Sequence, residues 1–408
     1  MSEWKKVKLG KLCDITSSKR CLASERSNNG IPFYCSKEII LLEKGEEIRD
    51  SDYIPIELYL SIKEKYGVPI TGDLLLTTRG TNGIPYIYKK HDCFYFADGN
   101  LSWFKNFKSD LDVKYLYYWF KSDTGKHIID SIAKGTAQKA IPIDGLRNIN
   151  ISIPSIRVQC KISEILSRYD SLIENYQKQI KLLEESAQRL YKEWFVDLRF
   201  PGYENTKIVD GVPEGWEKKQ INDICSLITS GGTPSRSNKS FWDNGNIKWV
   251  KTKELNDTWI IDTEEHITET GLNNSSAKIF PPNTILMAIY ASPTLGRLGI
   301  LGHEACCNQA ALGFIPNKLV SWQWLFYKLY ELRDKFNSIA RGAGQQNISA
   351  VVVKDTEIVV PEKNIIDKYT SFVTEIFNRQ RTIISEIKLL TEARDRLLHK
   401  LMSGEIEV

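Results

Sequence analysis

The chain lacks the signatures of most catalytic classes. It has no Gly-x-x-x-x-Gly-Lys-Ser/Thr loop, no Gly-x-Gly-x-x-Gly after a strand, no His-Glu-x-x-His and no Gly-x-Ser-x-Gly. An Asn-Pro-Pro-Tyr-like tetrapeptide of the amino-methyltransferase type is also missing. Only five histidines occur, and none sits in a motif. Eight cysteines are scattered without a Cys-x-x-Cys pair, which points to reduced thiols in a cytoplasmic protein. His303-Glu304-Ala305-Cys306-Cys307 could look like metal ligands, but vicinal cysteines have poor ligand geometry, and the run reads as a strand entering a core. No metal site and no catalytic residue are therefore expected. No apolar run reaches the ~18–20 residues of a membrane span, and Met1-Ser2-Glu3-Trp4-Lys5-Lys6 lacks the apolar stretch of a signal peptide. Neither sign of charge is in large excess, with 55 Lys and Arg against 51 Asp and Glu. The net charge is +4, which permits a nucleic-acid partner without arguing for one.

What is present is a long internal repeat. Ile151-Ser152-Ile153-Pro154 opens a helical pattern, and so does Ile358-Val359-Val360-Pro361, at a shift of 207 residues from Pro154 to Pro361. The same shift places Ile180-Lys181-Leu182-Leu183 on Ile387-Lys388-Leu389-Leu390, and Ala133-Lys134-Gly135 on Ala340-Arg341-Gly342. A period this long is a duplicated domain rather than a solenoid. Each half begins with a β-type segment after a tryptophan (Trp4, Trp216), and polar loops follow, over 17–30 and 230–245. Strands recur, as at 73–78 and 284–289. A helix over 115–133 or 324–340 then leads to a Gly/Gln loop and a last strand ending in proline.

The two long helices give the clearest local signal. Apolar positions step by 4 and 3 through Ile162, Leu166, Tyr169, Ile173, Tyr176, Ile180, Leu183, Ala187, Leu190 and Trp194. The second copy runs Tyr369, Val373, Ile376, Gln380, Ile383, Ile387, Leu390, Arg394, Leu397 and Leu401, broken only by Gln380 and Arg394. A sustained seam of period 3.5 favours helix against helix, over rods of roughly 50 Å. Helix two starts where helix one's far end delivers the chain, so the pair is expected to be antiparallel. The Pro/Gly-punctuated linker from Pro201 to Gly215 makes the corner.

Absence of a nucleophile, a metal cluster and a phosphate loop favours a binding protein. The Gly/Gln loops are the best candidates: Lys134, Gln138 and Lys139 in one half, Arg341, Gln345 and Gln346 in the other. Glutamine presents a donor and an acceptor to a base edge, and Lys or Arg neutralises a phosphate. The alternative is a helix C-cap glycine with solvated neighbours. Thr233, Ser235 and Arg236 lie in a Gly-rich loop whose amides and cation suit an anion, and Lys19 and Arg20 occupy the matching loop. Arg79 and Tyr290 follow equivalent strands, and Lys251, Lys253 and Arg297 complete the candidate set.

At these residues the chain resembles the DNA-specificity (S) subunits of type I restriction-modification systems. Ile228-Thr229-Ser230-Gly231-Gly232-Thr233-Pro234-Ser235, then Ile247-Lys248-Trp249-Val250-Lys251-Thr252-Lys253-Glu254-Leu255, resembles the start of a target recognition domain. Gly135-Thr136-Ala137-Gln138, with the strand ending in Pro154, resembles the end of one. Phe195-Val196-Asp197-Leu198-Arg199-Phe200-Pro201-Gly202, then Val212-Pro213-Glu214-Gly215-Trp216-Glu217, resembles the central connector. The likeness covers the whole chain, although the first half has no Gly-Gly-Thr-Pro phrase. It implies an α+β fold of two mixed α/β target recognition domains, joined by two long antiparallel coiled-coil helices with pseudo-twofold symmetry. The expected parts are recognition domain 1 (1–155), the central helix (156–200), a linker (201–215), recognition domain 2 (216–361) and the C-terminal helix (362–408). Each recognition domain would read one half of a bipartite, asymmetric site in double-stranded DNA. The helices would set the spacing and dock two modification (methyltransferase) subunits. Restriction (endonuclease/translocase) subunits would join them, so S-adenosylmethionine and ATP are expected in the partners and no cofactor in this chain. The rival reading is a coiled-coil scaffold bridging two protein-binding domains without DNA recognition; a weaker one is a methyltransferase with degenerate motifs.

Overall fold

The structure is a computed structural model and describes residues 4–135, 139–290, 294–342 and 347–408, with only the backbone of Arg341 and Gly342. The chain forms two compact units, Met1–Glu174 with Leu389–Val408, and Asn175–Lys388.

In the first unit β1 (Lys5–Lys8), β2 (Asp14–Thr16), β3 (Ile31–Tyr34), α1 (Ser36–Lys44), β4 (Asp52–Ile54), α2 (Ile56–Tyr66), β5 (Leu74–Thr77), β6 (Pro85–Ile87), β7 (Tyr95–Phe96) and β8 (Leu101–Lys105) come first. Then follow α3 (Val113–Lys121), α4 (Asp123–Ile132), α5 (Ile143–Arg147), β9 (Asn150–Ile153) and the long α6 (Ile156–Tyr191), which continues into the second unit. One sheet has the order β2-β8-β5-β6, a second β4-β3-β7, and β1 pairs with β9. Leu74, Leu76 and Phe104 bury one sheet face against α3 and α4, while Leu75 and Trp103 bury the other against α1, as the alternation of strand side chains requires.

The second unit repeats this plan. A short hairpin, β10 (Ile208–Val209) with β11 (Val212–Pro213), leads into β12 (Glu217–Gln220), β13 (Cys225–Ser230), β14 (Ile247–Val250), β15 (Thr258–Ile260), β16 (Glu265–Ile267) and α7 (Glu269–Asn273). β17 (Ile285–Ala288), β18 (Leu298–Leu301), β19 (Cys306–Cys307), β20 (Ala311–Pro316), α8 (Trp322–Glu331), α9 (Arg333–Gly342), α10 (Ala350–Lys354), β21 (Glu357–Val360) and α11 (Lys363–Ser403) complete it. The sheets run β13-β20-β17-β18-β15 and β16-β14-β19, with β12 on β21. Strand for strand this is the first unit with β15 added at one edge. Cys306 and Cys307 lie in a buried strand, and burial pushes their thiols up to about 11 and about 12.

The sequence predicts one helix over 115–133, and the structure has two. Ser122 ends α3 and caps α4, its hydroxyl accepting from the Gly125 amide at 3.2 Å. The turn is so tight that a Cβ on Gly125 would lie 2.0 Å from the Trp119 carbonyl oxygen. The second copy splits likewise, between α8 and α9. Cys160 lies on α6 and is exposed.

Within each unit the two long helices run antiparallel. In the first, Ile162 and Leu166 of α6 share a core with Leu398, Leu401 and Met402 of α11, and Arg394 reaches Asp170 at 2.7 Å. In the second, Tyr191 packs on Tyr369 and Trp194 on Phe372, while Arg379 lies 6.0 Å from the Tyr176 ring. Of the seam, Ile162, Leu166, Ile173, Val373 and Ile383 are buried, and Tyr169, Tyr176, Ile180, Leu183, Leu190, Ile376, Ile387, Leu390 and Leu397 half-buried. The two polar breaks are absorbed: Gln380 is buried, and Arg394 is held by Asp170 and Asp395. α6 ends in a π turn over Lys192–Val196, which brings Trp194 and Phe195 into the aromatic core.

Candidate nucleic-acid interface

In the first unit three loops meet where β5 ends. The Thr78 amide donates to the Asn100 carbonyl at 2.8 Å, and the Ile141 amide to the Thr78 carbonyl at 2.9 Å. Arg79 bridges to Ala140, and Ala140 exchanges backbone hydrogen bonds of 2.8 and 2.9 Å with Lys134. Asn82 Nδ2 donates to the Lys139 carbonyl at 3.2 Å. On the other side of the turn before β8, the Ser17 hydroxyl donates to the Leu101 carbonyl, and the Tyr95 hydroxyl accepts from the Lys19 amide at 2.7 Å. Arg79, Lys134 and Lys139 are thus gathered together, with the loop of Lys19 and Arg20 across the turn. All five side chains are exposed, and none is in an ion pair among the described residues. Asp98, half-buried in the turn, is a carboxylate of the same surface.

The second unit builds the same platform. The Ile289 amide donates to the Ala310 carbonyl at 2.9 Å, and the Ile348 amide to Ile289 at 3.0 Å. Tyr290 bridges to Asn347 as Arg79 does to Ala140. The first loop is fastened by the amides of Gly231, to the Ala311 carbonyl at 3.3 Å, and Gly232, to Cys307 at 2.9 Å. Those two amides are therefore spent on backbone and are not presented to an anion. The glycines are there for packing: a Cβ on Gly231 would lie 2.0 Å from the Cys307 oxygen, and one on Gly232 2.3 Å from Ser276 Oγ. Thr233 donates to Gln309, and among the described residues the Ser235 hydroxyl bonds only that of Ser237, at 2.9 Å.

Charge is handled differently here. Arg236 stacks on Trp242 at 3.7 Å and on Trp249 at 4.9 Å, and donates to Glu265 at 2.7 Å. Lys251 reaches Glu265 at 2.8 Å and Glu264 at 3.2 Å, and Lys253 reaches Glu264 at 2.6 Å. Three predicted DNA contacts are thus brought together, but on two carboxylates. The hydrogen bond from Lys253, then that from Lys251, holds the Glu264 carboxyl below its ordinary range. Partial burial raises that of Glu265, but Arg236 and Lys251 outweigh it and lower it. The hydrogen bond to Glu265 raises the Lys251 ammonium. At the strand ends the second unit offers exposed Tyr290, half-buried Arg297 and half-buried Thr233 instead. Gln138, Gln345 and Gln346 lie outside the described residues, and Arg341 is placed by its backbone alone, in the last turn of α9.

Sequence reasoning missed Asn82, Gln309 and the Glu264–Glu265 pair. The acidic dipeptide is visible in the chain, but Arg236 lies 29 residues before Glu265, and only the β14–β16 pairing brings the cations to it.

The fold is similar to that of a solved type I restriction-modification S subunit from M. genitalium, with a TM-score of 0.62 at 16% identity, covering 98% of this chain and 96% of that one. Among curated proteins, the MjaIX specificity subunit of Methanocaldococcus jannaschii is 28% identical over 74% of this chain and 71% of its own length. The HindI specificity subunit of Haemophilus influenzae is 27% identical over 65% of this chain and 71% of its own. The model of the type I restriction modification DNA specificity domain matches twice, over residues 1–185 and 213–393, each match taking in one loop platform and much of a long helix. By that double match the chain belongs to the type I restriction-modification DNA specificity family.

Proposed function

We propose that this chain is the non-catalytic DNA-reading subunit of a type I restriction-modification complex, and that each unit reads one half of a bipartite, asymmetric site in double-stranded DNA. The observation that carries this reading is the platform built twice on one topology and furnished with different side chains. Like platforms imply a like mode of docking, and unlike side chains imply unlike half-sites, in contrast to a homodimer on a palindrome. The long helices set the distance between half-sites and dock two modification subunits, which bring S-adenosylmethionine; restriction subunits bring ATP-dependent cleavage. Because the seam side chains are turned inwards, docking falls to the outer helix faces. Leu182 and Leu389, at the same position of the 207-residue repeat, are 62% and 64% exposed there.

Sequencing the methylated bases of a host that carries the complex tests the reading, and a bipartite motif is expected. One heptad added to each helix, after Gln179 and after Glu386, keeps the seams in register and adds about 10 Å, or roughly three base pairs of spacer. An unchanged spacer in an active complex would refute the ruler. Absence of duplex binding by the assembled chain would favour the protein scaffold.

A further inference from the structure

The platform of the first unit has a neighbour that its loops do not account for: the end of α2. Lys19 Nζ lies 5.2 Å from the centre of the Tyr66 ring, in the last turn of that helix. The second unit repeats the placement independently. There Gly232 sits so close to Ser276, just beyond α7, that its Cβ would approach the Ser276 hydroxyl to 2.3 Å. The helix that follows β4 in one unit and β16 in the other therefore ends against the first loop of the platform in both.

In the first unit this end is both cationic and aromatic. Tyr59, Ile62, Lys63 and Tyr66 share one face by their helical spacing. Ile62 is buried and Tyr59 meets the Tyr95 ring edge-on, which fixes that face towards the body of the unit. Lys63 and Tyr66 flank the buried stripe and stay exposed, Tyr66 by 55%. An exposed tyrosine of this size, beside two lysines, is not held there by core packing. Its hydroxyl has no hydrogen-bond partner among the described residues, and Lys63 has no ion pair among them. No carboxylate stands three or four residues from either side chain along the helix. The nearest acid in sequence, Glu64, is offset by about 100° around the axis.

We propose that Lys19, Lys63 and the Tyr66 hydroxyl form a phosphate-binding site for the DNA backbone, at the margin of the first unit's reading surface. This rests on the DNA-reading function proposed above. Lysines act on phosphate as point charges, and a phenol donates one hydrogen bond to a phosphate oxygen; neither carries base information in that role. The site is thus expected to position the duplex and leave its sequence preference alone. The ring serves Lys19 as well, because an ammonium beside an aromatic face keeps a preferred position in solvent.

The test uses the full chain assembled with its modification subunits, and a duplex bearing the methylated motif beside a scrambled duplex. Binding is measured across salt for Lys63→Ala and Tyr66→Phe, with Lys114→Ala, an exposed lysine outside the platform, as the control. Lys63→Ala is expected to weaken binding to both duplexes by roughly fivefold near 0.15 M salt and to lower the salt slope by about one. Tyr66→Phe should weaken both duplexes equally, with the salt slope kept and the thermal melting unchanged. The proposal is overturned if both variants bind as the parent and the control do, or if either changes the methylated motif. Those failures leave the DNA reading standing, because the parent complex still binds. If the parent complex binds neither duplex, the reading itself falls.

Discussion

The two units share one topology and differ in where they keep their charge. In the first, five exposed cations ring the end of β5 without carboxylate partners among the described residues. In the second, Arg236, Lys251 and Lys253 are held by Glu264 and Glu265, and the strand ends present Tyr290 and Thr233. A repeated fold thus fixes where loops go and leaves electrostatics free to diverge. Under the function proposed above, the first unit's cations are the ones free to meet phosphates, which would make its binding salt-sensitive. The second unit is furnished to hold its own loop in shape.

The largest effect expected is a change of reading. Replacing residues 1–155 with the first recognition domain of another family member should replace one half of the methylated motif and leave the other. A chimera that alters both halves would break the comparison. Next comes the triple variant Arg79→Ala, Lys134→Ala, Lys139→Ala. It should lower affinity by about a hundredfold near 0.15 M salt and flatten the salt slope by about three, as loss of three phosphate contacts requires. Lys251→Ala with Lys253→Ala should hardly move that slope, and an equal fall in both variants would erase the distinction drawn here.

Gly231→Ala addresses shape rather than charge. The new Cβ meets backbone, so the second unit should lose about 1–3 kcal/mol in thermal or denaturant unfolding, and a fully tolerated alanine would show that the loop is loosely held. The smallest effect is expected from Glu264→Gln with Glu265→Gln. Ion pairs this exposed add little to stability, but releasing three cations should raise binding to random duplex by a few-fold. Acid should act in the same direction. Both carboxyls are depressed in the folded chain, so their stabilisation is fully present above the ordinary glutamate value of about 4.3 and is lost as pH falls through the lowered one. A pH titration of stability below that value should reveal the loss in the parent and not in the double variant.

Much of the fold was legible because its signals are local or periodic. The seam from Ile162 to Trp194 is a spacing pattern within one helix, and the repeat is visible by sliding the chain on itself. The split at Ser122 was hidden because α3 and α4 both have helical composition, and a serine cap looks like any polar surface residue. The site was only partly legible. Arg79 and Lys134 read correctly as neighbours of strand ends and loops, but nothing in the chain indicated that both would bridge to Ala140. The phrase Gly231-Gly232-Thr233-Pro234 read as an anion cradle, since glycine amides serve that use elsewhere. Here the same residues answer a steric demand from Cys307 and Ser276, set by strands far along the chain.

The partition of the long helices between the units has a consequence for biosynthesis. Residues 389–408 belong to the first unit, and Leu398, Leu401 and Met402 are part of its core. The second unit is one unbroken stretch from 175 to 388. On the ribosome, therefore, the unit made second is the first whose sequence is complete. The one made first waits for its last helix through more than two hundred further residues, on the order of 10–40 s of synthesis. During that interval Ile162 and Leu166 lack the cover that Leu398, Leu401 and Met402 give in the finished core. A nascent chain arrested before residue 389 should therefore be a ready client for chaperones.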